Sequence, residues 1–171
     1  MEQGRVRSVV RRMVGAAKLD VAVFDEVRRD GSATWQAVVV ITIVAAAQAI
    51  GAGGGGGPGI VEGLVPAFTG WILWSAVAYL IGVKMLGRAA TVGELLRTLG
   101  FAQTPSLLAV LELVPGMAGL VGAVLGVWLL ATGVVAIRHV LGVGTAAAVA
   151  IAVVAWVIAH LPMVLIHEIL S

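Results

Sequence analysis

At 171 residues, with 60% hydrophobic and 12% charged residues and a mean hydropathy of +1.07, the chain is too apolar for a water-soluble domain, which carries about 25% charged residues. Its net charge of +2 and pI near 9.7 exclude a nucleic-acid surface, because the basic residues are scattered along membrane boundaries where lipid headgroups are the nearer partner. The absence of cysteine excludes disulfides, thiolate metal sites and cysteine nucleophiles, and the length suits one all-α, polytopic integral membrane unit.

Residues 1–32 form a basic amphipathic arm, and residues 33–171 the transmembrane domain. Arg5, Arg7, Arg11 and Arg12 resemble the start of a secretory signal, but Lys18, Asp20, Asp25, Glu26, Arg28, Arg29 and Asp30 separate them from the first apolar run. A retained arm is therefore expected. Val6, Val9, Val10, Met13, Ala17, Val21 and Phe24 make an apolar stripe, which suits a helix lying at a bilayer surface. Arg5, Arg7, Arg11, Arg12 and Lys18 would then meet anionic headgroups. The other reading is a solvated arm folded onto the neighbouring loops.

Five apolar stretches follow, where a span needs about 20 residues to cross about 30 Å of hydrocarbon. They are 33–52, 66–83, 99–114, 116–137 and 144–165. Trp35 at the start of the first, with Trp71 and Trp74 early in the second, fits interfacial belts. Between these two spans lies "GAGGGGGPGIVEGLV", read as a flexible connection. After the second span, Thr91 and Glu94 have capping-box spacing, and Val92, Leu95, Leu96 and Leu99 share one helical face. Gly100 is expected to end that helix in a left-handed cap, and Pro105 to open the next. A single helix kinked at Pro105 is the alternative. In the fourth span Gly122 and Gly126 form a Gly-x-x-x-Gly pair with Gly119 and Gly133 on a broadly similar side, and Ala148, Ala152, Ala155 and Ala159 do the same in the fifth. Such residues let helices pack closely, within the chain or across a homodimer.

Lys and Arg number seven in the arm, none in the glycine-rich connection, three in the next (Lys84, Arg88, Arg97), none at "VPG", one after the fourth span (Arg138) and none at the C-terminus. Positive and empty connections alternate. Under the positive-inside rule this gives five spans, with the N-terminus cytoplasmic and the C-terminus outside. The nine Arg against two Lys, with abundant Ala, Gly and Val, point to a GC-rich genome and a bacterial inner membrane.

"KLDVAVFDEVRRDGSATWQAVVVI", "LIGVKMLGRAATVGELLRTLGFAQTPSLL" and "VPGMAGLVGAVLGVWLLATGVVAIRHVLG" resemble bacterial members of the Yip family, five-span membrane proteins named for eukaryotic relatives that interact with Ypt/Rab GTPases. The most characteristic piece is Leu99-Gly100-Phe101-Ala102 with Pro105, comparable to the family's Gly-Tyr plus proline pattern. The resemblance implies a fold and a topology, and no catalytic residues. The eukaryotic Asp-Leu-Tyr-Gly-Pro motif is missing ahead of the first span, so the Rab-linked function is not implied.

Chemistry is sparse. "GAGGGGGPG" lacks the Lys and hydroxyl of a phosphate loop. His160 and His167 are seven apart, about 10 Å along a helix axis, and no zinc site is expected of them with Glu168. Glu112, three residues before Pro115, is read as a solvated helix end or an intramembrane functional acid. Arg138 and His139 anchor the end of the fourth span. The chain thus reads as non-enzymatic, without cofactor or metal. It is expected to act as a scaffold, partner-binding or membrane-organising protein, with lipids, a second copy or other membrane proteins as partners. The alternative is a small transporter or channel subunit, but Ser75, Tyr79 and Thr132 are few polar groups for a route through the bilayer.

Overall fold

A computed structural model describes residues 2–53 and 57–170, with side chains over 6–53 and 59–159. Its helices are α1 (Glu2–Ala17), α2 (Val21–Arg29), α3 (Ala33–Gly51), α4 (Gly57–Tyr79, prolonged by a π-helical stretch Leu80–Met85), α5 (Val92–Ala102), a 3-10 helix (Thr104–Leu113), α6 (Ala118–Leu141) and α7 (Thr145–Leu170). Among the described residues there is no strand. Three helical stretches, Ala33–Gly51, Gly59–Met85 and Ala118–Leu141, are long and apolar enough to cross a bilayer; Thr145–Ala159 is a shorter apolar helix.

Close contacts set the directions of these helices. Gly100 lies against Ala37, and Gly51 against the carbonyl of Ala109, so α5 and the 3-10 helix run parallel to α3. Gly63 faces Ala49, which makes α4 antiparallel to α3. Trp74 meets Gly133, and Gly82 meets Leu141, so α6 runs parallel to α4. The ends of α2, α4 and α6 and the start of α5 thus gather at one end of the bundle. This basic end carries Arg28, Lys84, Arg88, Arg97 and Arg138; the far end carries Glu112 and the start of α6.

The middle segment breaks for an identifiable reason. Pro105 has no N–H, so the carbonyl of Phe101 loses its helical donor; the Thr104 hydroxyl donates to it instead at 2.7 Å. The N–H of Ser106 turns to Gln103, and the carbonyl of Ala102 accepts from the buried Thr132 hydroxyl of α6 at 2.7 Å. Side chains and 3-10 bonding re-satisfy the freed groups, as buried backbone in a membrane protein requires. At about 2.0 Å per residue, ten 3-10 residues rise about 20 Å, where an α-helix would rise about 15 Å. A short stretch thereby keeps pace with α3.

Several sequence expectations are corrected. Gly100 is not a left-handed cap but an interior residue of α5, where a Cβ would lie 2.7 Å from that of Ala37; closeness, not chain reversal, calls for glycine here. The helix of the second apolar stretch starts at Gly57 and runs through Pro66 instead of starting at 66. Trp71 and Trp74 do not lie in a belt. Both are buried, Trp71 donating to the Leu96 carbonyl at 2.8 Å, whereas Trp35 is 71% exposed. α7 continues past 165 to Leu170.

Candidate functional site at the basic end of the bundle

Residues 2–29 form a helical hairpin. Asp20 accepts from the Ala22 N–H and caps α2, Leu19 takes up the left-handed conformation of the turn, and Gly15 lets Val23 approach so closely that a Cβ would sit 2.5 Å from Cγ2. Met13, Ala16, Val23, Phe24 and Val27 are buried in the main core. Of the expected stripe, Met13 and Phe24 thus face protein and Val9 and Ala17 are half-buried, while Val21 is exposed. Its members Val6 and Val10 line up with Val14, four residues apart, and stay exposed. The turn of the hairpin reaches the indole of Trp128, which donates to the Ala17 carbonyl at 2.8 Å. Trp128 lies about 20 Å from the basic end of α6, so the hairpin packs alongside the bundle and does not merely cover its end.

Charge holds this hairpin. The Arg12 side chain is 8% exposed. It donates to Glu26 at 2.8 Å, Asp30 at 2.7 Å and the amide oxygen of Gln36 at 2.8 Å, linking α1, α2 and α3. Burial works against its charge, but the bonds to Asp30 and Glu26 outweigh burial and raise its pKa. Glu26 is held below its ordinary value, chiefly by the hydrogen bond from Arg11 and also by Arg12. Asp30 is lowered first by the Ser32 hydroxyl and then by Arg12. Arg97 donates to the carbonyls of Val27 and Arg28 at the end of α2, and Arg28 reaches Glu94 at 3.2 Å. Thr91 and Glu94 form the expected capping box. Burial pushes the Glu94 pKa up, but the Thr91 bonds and the fields of Arg28 and Arg97 bring it down on balance.

The expected lipid-facing residues divide. Arg7 and Lys18 are exposed. Arg11 is exposed but donates to Glu26 at 2.6 Å. Arg12 is a correction: its guanidinium is enclosed by acceptors and does not face lipid. The side chains of Arg5, His160, His167 and Glu168 lie outside the described residues. Pro105 opens the 3-10 helix as expected. A Cβ on Gly119 or Gly126 would have no neighbour within 4 Å, and one on Gly122 only a carboxylate oxygen of Glu112 at 3.8 Å. Among the described residues these three glycines make no tight helix contact, while Ala148, Ala152, Ala155 and Ala159 are all buried.

Toward the far end, two adjoining cavities of about 320 and 300 Å³ share Gln48 and Leu129. Gln103 lines the first, and Ser106 and Glu112 the second. The sequence reading overlooked both glutamines, although an amide inside an apolar helix is a signal in itself. It also missed Trp128 and the acids that engage Arg12, because their pairing is long-range. Among the described residues, no group of three or more His, Asp or Glu could hold a metal.

A family model for the Yip1 domain matches residues 21–166, from α2 into α7. The chain belongs to the Yip1 domain family. That is a family of membrane proteins and not a known enzyme family. Neither the curated proteins nor the solved structures give a match.

Proposed function

We propose that this Yip1-domain chain is a non-enzymatic scaffold of a bacterial inner membrane that binds other membrane proteins or a second copy of itself. The observation carrying this reading is the use of polar side chains as joints between helices: Arg12, Arg97, Thr104, Thr132 and Trp128 each satisfy a backbone or side-chain partner. In the outer half of α6, Gly119 and Gly122 are exposed and Gly126 is half-buried, and a Cβ at Gly119 or Gly126 would meet no described neighbour within 4 Å, which leaves room for a partner helix. The exposed valines of α1 with Arg7 and Lys18 suit contact with anionic lipid.

In this reading the chain crosses five times, residues 99–114 at the end of α5 and through the 3-10 helix being the third span, with the basic end cytoplasmic and the C-terminus outside. Local thinning of the bilayer accommodates the shorter third span at fractions of a kcal/mol per Å. Alkaline phosphatase and, separately, green fluorescent protein fused after Ser171 test this topology. Phosphatase activity supports it, and fluorescence without phosphatase activity refutes it. Pull-down from native membranes tests the scaffold role: changing both Gly122 and Gly126 to Leu removes the captured partner or copy if the open face is the interface.

A second reading, a small transporter or channel subunit, draws on the cavities at Gln48, Gln103, Ser106 and Glu112. Solute flux in proteoliposomes that is lost on Gln48→Leu would favour it over the scaffold.

A further inference from the structure

Three basic side chains converge where the sequence suggested only an anchored helix end. At the basic end, a cavity of about 330 Å³ opens between α2, the connection after α4 and the end of α6. Arg28, Arg88 and His139 are its ionisable side chains, and no carboxylate lines it. Its wall also includes Gly87 and Gly142, both in the left-handed region with φ of 65° and 59°. A side chain at either turn would be strained, so these stretches of wall stay low.

The three basic residues differ in how far the protein satisfies them. Arg88 donates through Nε to the Leu141 carbonyl at 2.9 Å and through Nη2 to the Gly142 carbonyl; it meets carbonyls and no carboxylate. Arg28 reaches Glu94 through Nη1, but its Nε is shielded from water without an acceptor, with Asp25 at 3.6 Å. His139, half-buried, makes no hydrogen bond among the described residues. The carbonyl end of α6 would by itself repel an anion. Arg88 lies across those carbonyls and reverses the local sign.

We propose that this cavity binds a phosphate group, with Arg28, Arg88 and His139 as its donors. Guanidinium matches phosphate oxygens in geometry as well as charge, and basic pockets between membrane helices take phospholipid headgroups. Met85 at the end of the π-helical stretch and Leu86 just after it, both exposed, would lie beside the first carbons of an acyl chain. The phosphate comes from an acidic phospholipid or from a soluble phosphate compound. The lipid source rests on the basic end facing a membrane surface, while the soluble source does not.

The test uses the full chain in phosphatidylcholine nanodiscs with and without phosphatidylglycerol, and in detergent titrated with inorganic phosphate. Lipid retention is read by native mass spectrometry, and phosphate binding by the shift in melting temperature. Variants are Arg88→Gln, His139→Gln and, as a control outside the cavity, Arg138→Gln. Selective retention of phosphatidylglycerol, weakened about tenfold by Arg88→Gln and less by His139→Gln but kept by Arg138→Gln, supports a lipid source. No lipid selectivity, with a phosphate-induced shift lost in the same two variants, supports a soluble source. His139→Gln breaks no protein hydrogen bond, so it decides the matter if Arg88→Gln fails to fold. Equal losses in Arg138→Gln would mean diffuse attraction and overturn the site, as would full retention in His139→Gln and Arg88→Gln or the absence of any phosphate or lipid effect.

Discussion

The two halves of α6 have similar compositions and opposite surroundings. In the basic half, Gly133 touches the Trp74 ring, Thr132 bonds across to Ala102, and Ile137, Val140 and Leu141 are buried. In the far half, among the described residues, Gly119 and Gly126 have no neighbour within reach of a Cβ, Leu120, Val124 and Val127 are exposed, and Val121 and Leu125 join a small cluster with Ala109. The tight contact of Gly51 with the Ala109 carbonyl is the far end's main point of closure. Small residues thus enable close packing but do not choose where it happens; the neighbour that fills the gap does.

Gly133→Leu should break the closed half most severely. A Cβ there lies 2.5 Å from Cζ2 of Trp74, which is 1% exposed. A loss of about 3 kcal/mol or more is expected from such overpacking, seen as a large fall in melting temperature in detergent. Arg12→Ala comes next. It leaves Glu26 and Asp30 without their shared partner, and because those acids are about one-third exposed the loss is expected at about 1–3 kcal/mol. Arg12→Lys should recover only part, since an ammonium cannot reproduce the guanidinium fork.

Acid should loosen the same end. Glu26, Asp30 and Glu94 have pKa values lowered in the folded chain, so at low pH the unfolded state binds more protons than the folded one. Their stabilisation is complete above the ordinary carboxylate range and is lost as pH falls through it toward the lowered folded values. Melting temperatures measured across that range should decline, and decline less in the Glu26→Gln variant.

The smallest effect sharpens the contrast. Gly126→Leu should change the stability of an isolated copy by no more than about 0.5 kcal/mol, as at other open positions. A fall comparable to that of Gly133→Leu would show that the far half is as closed as the basic half. A loss of oligomer size without a change in single-copy stability would assign the open face to a partner.

Much of this was legible in the residues. The capping box at Thr91 and Glu94 is local and formed as spaced, and the apolar runs marked the helices because a bilayer demands continuous hydrophobic length. The family resemblance, carried by the central Leu99–Pro105 stretch, is met by the Yip1 match. The candidate sites were less legible. Gly100 looked like a helix end because glycine serves both for a left-handed turn and for close approach, and only Ala37 across the interface distinguishes them.

By itself, then, the sequence determined the medium, the helical class and the capped start of α5 at Thr91, since these depend on composition and on neighbours within four residues. Tertiary structure decided which glycines pack, which tryptophans are buried, that Arg12 turns inward to Glu26, Asp30 and Gln36, and that Arg28, Arg88 and His139 share a cavity. Those outcomes pair residues from 8 to 111 positions apart, and no local periodicity encodes which distant groups will satisfy a buried charge, an orphaned carbonyl or an empty space.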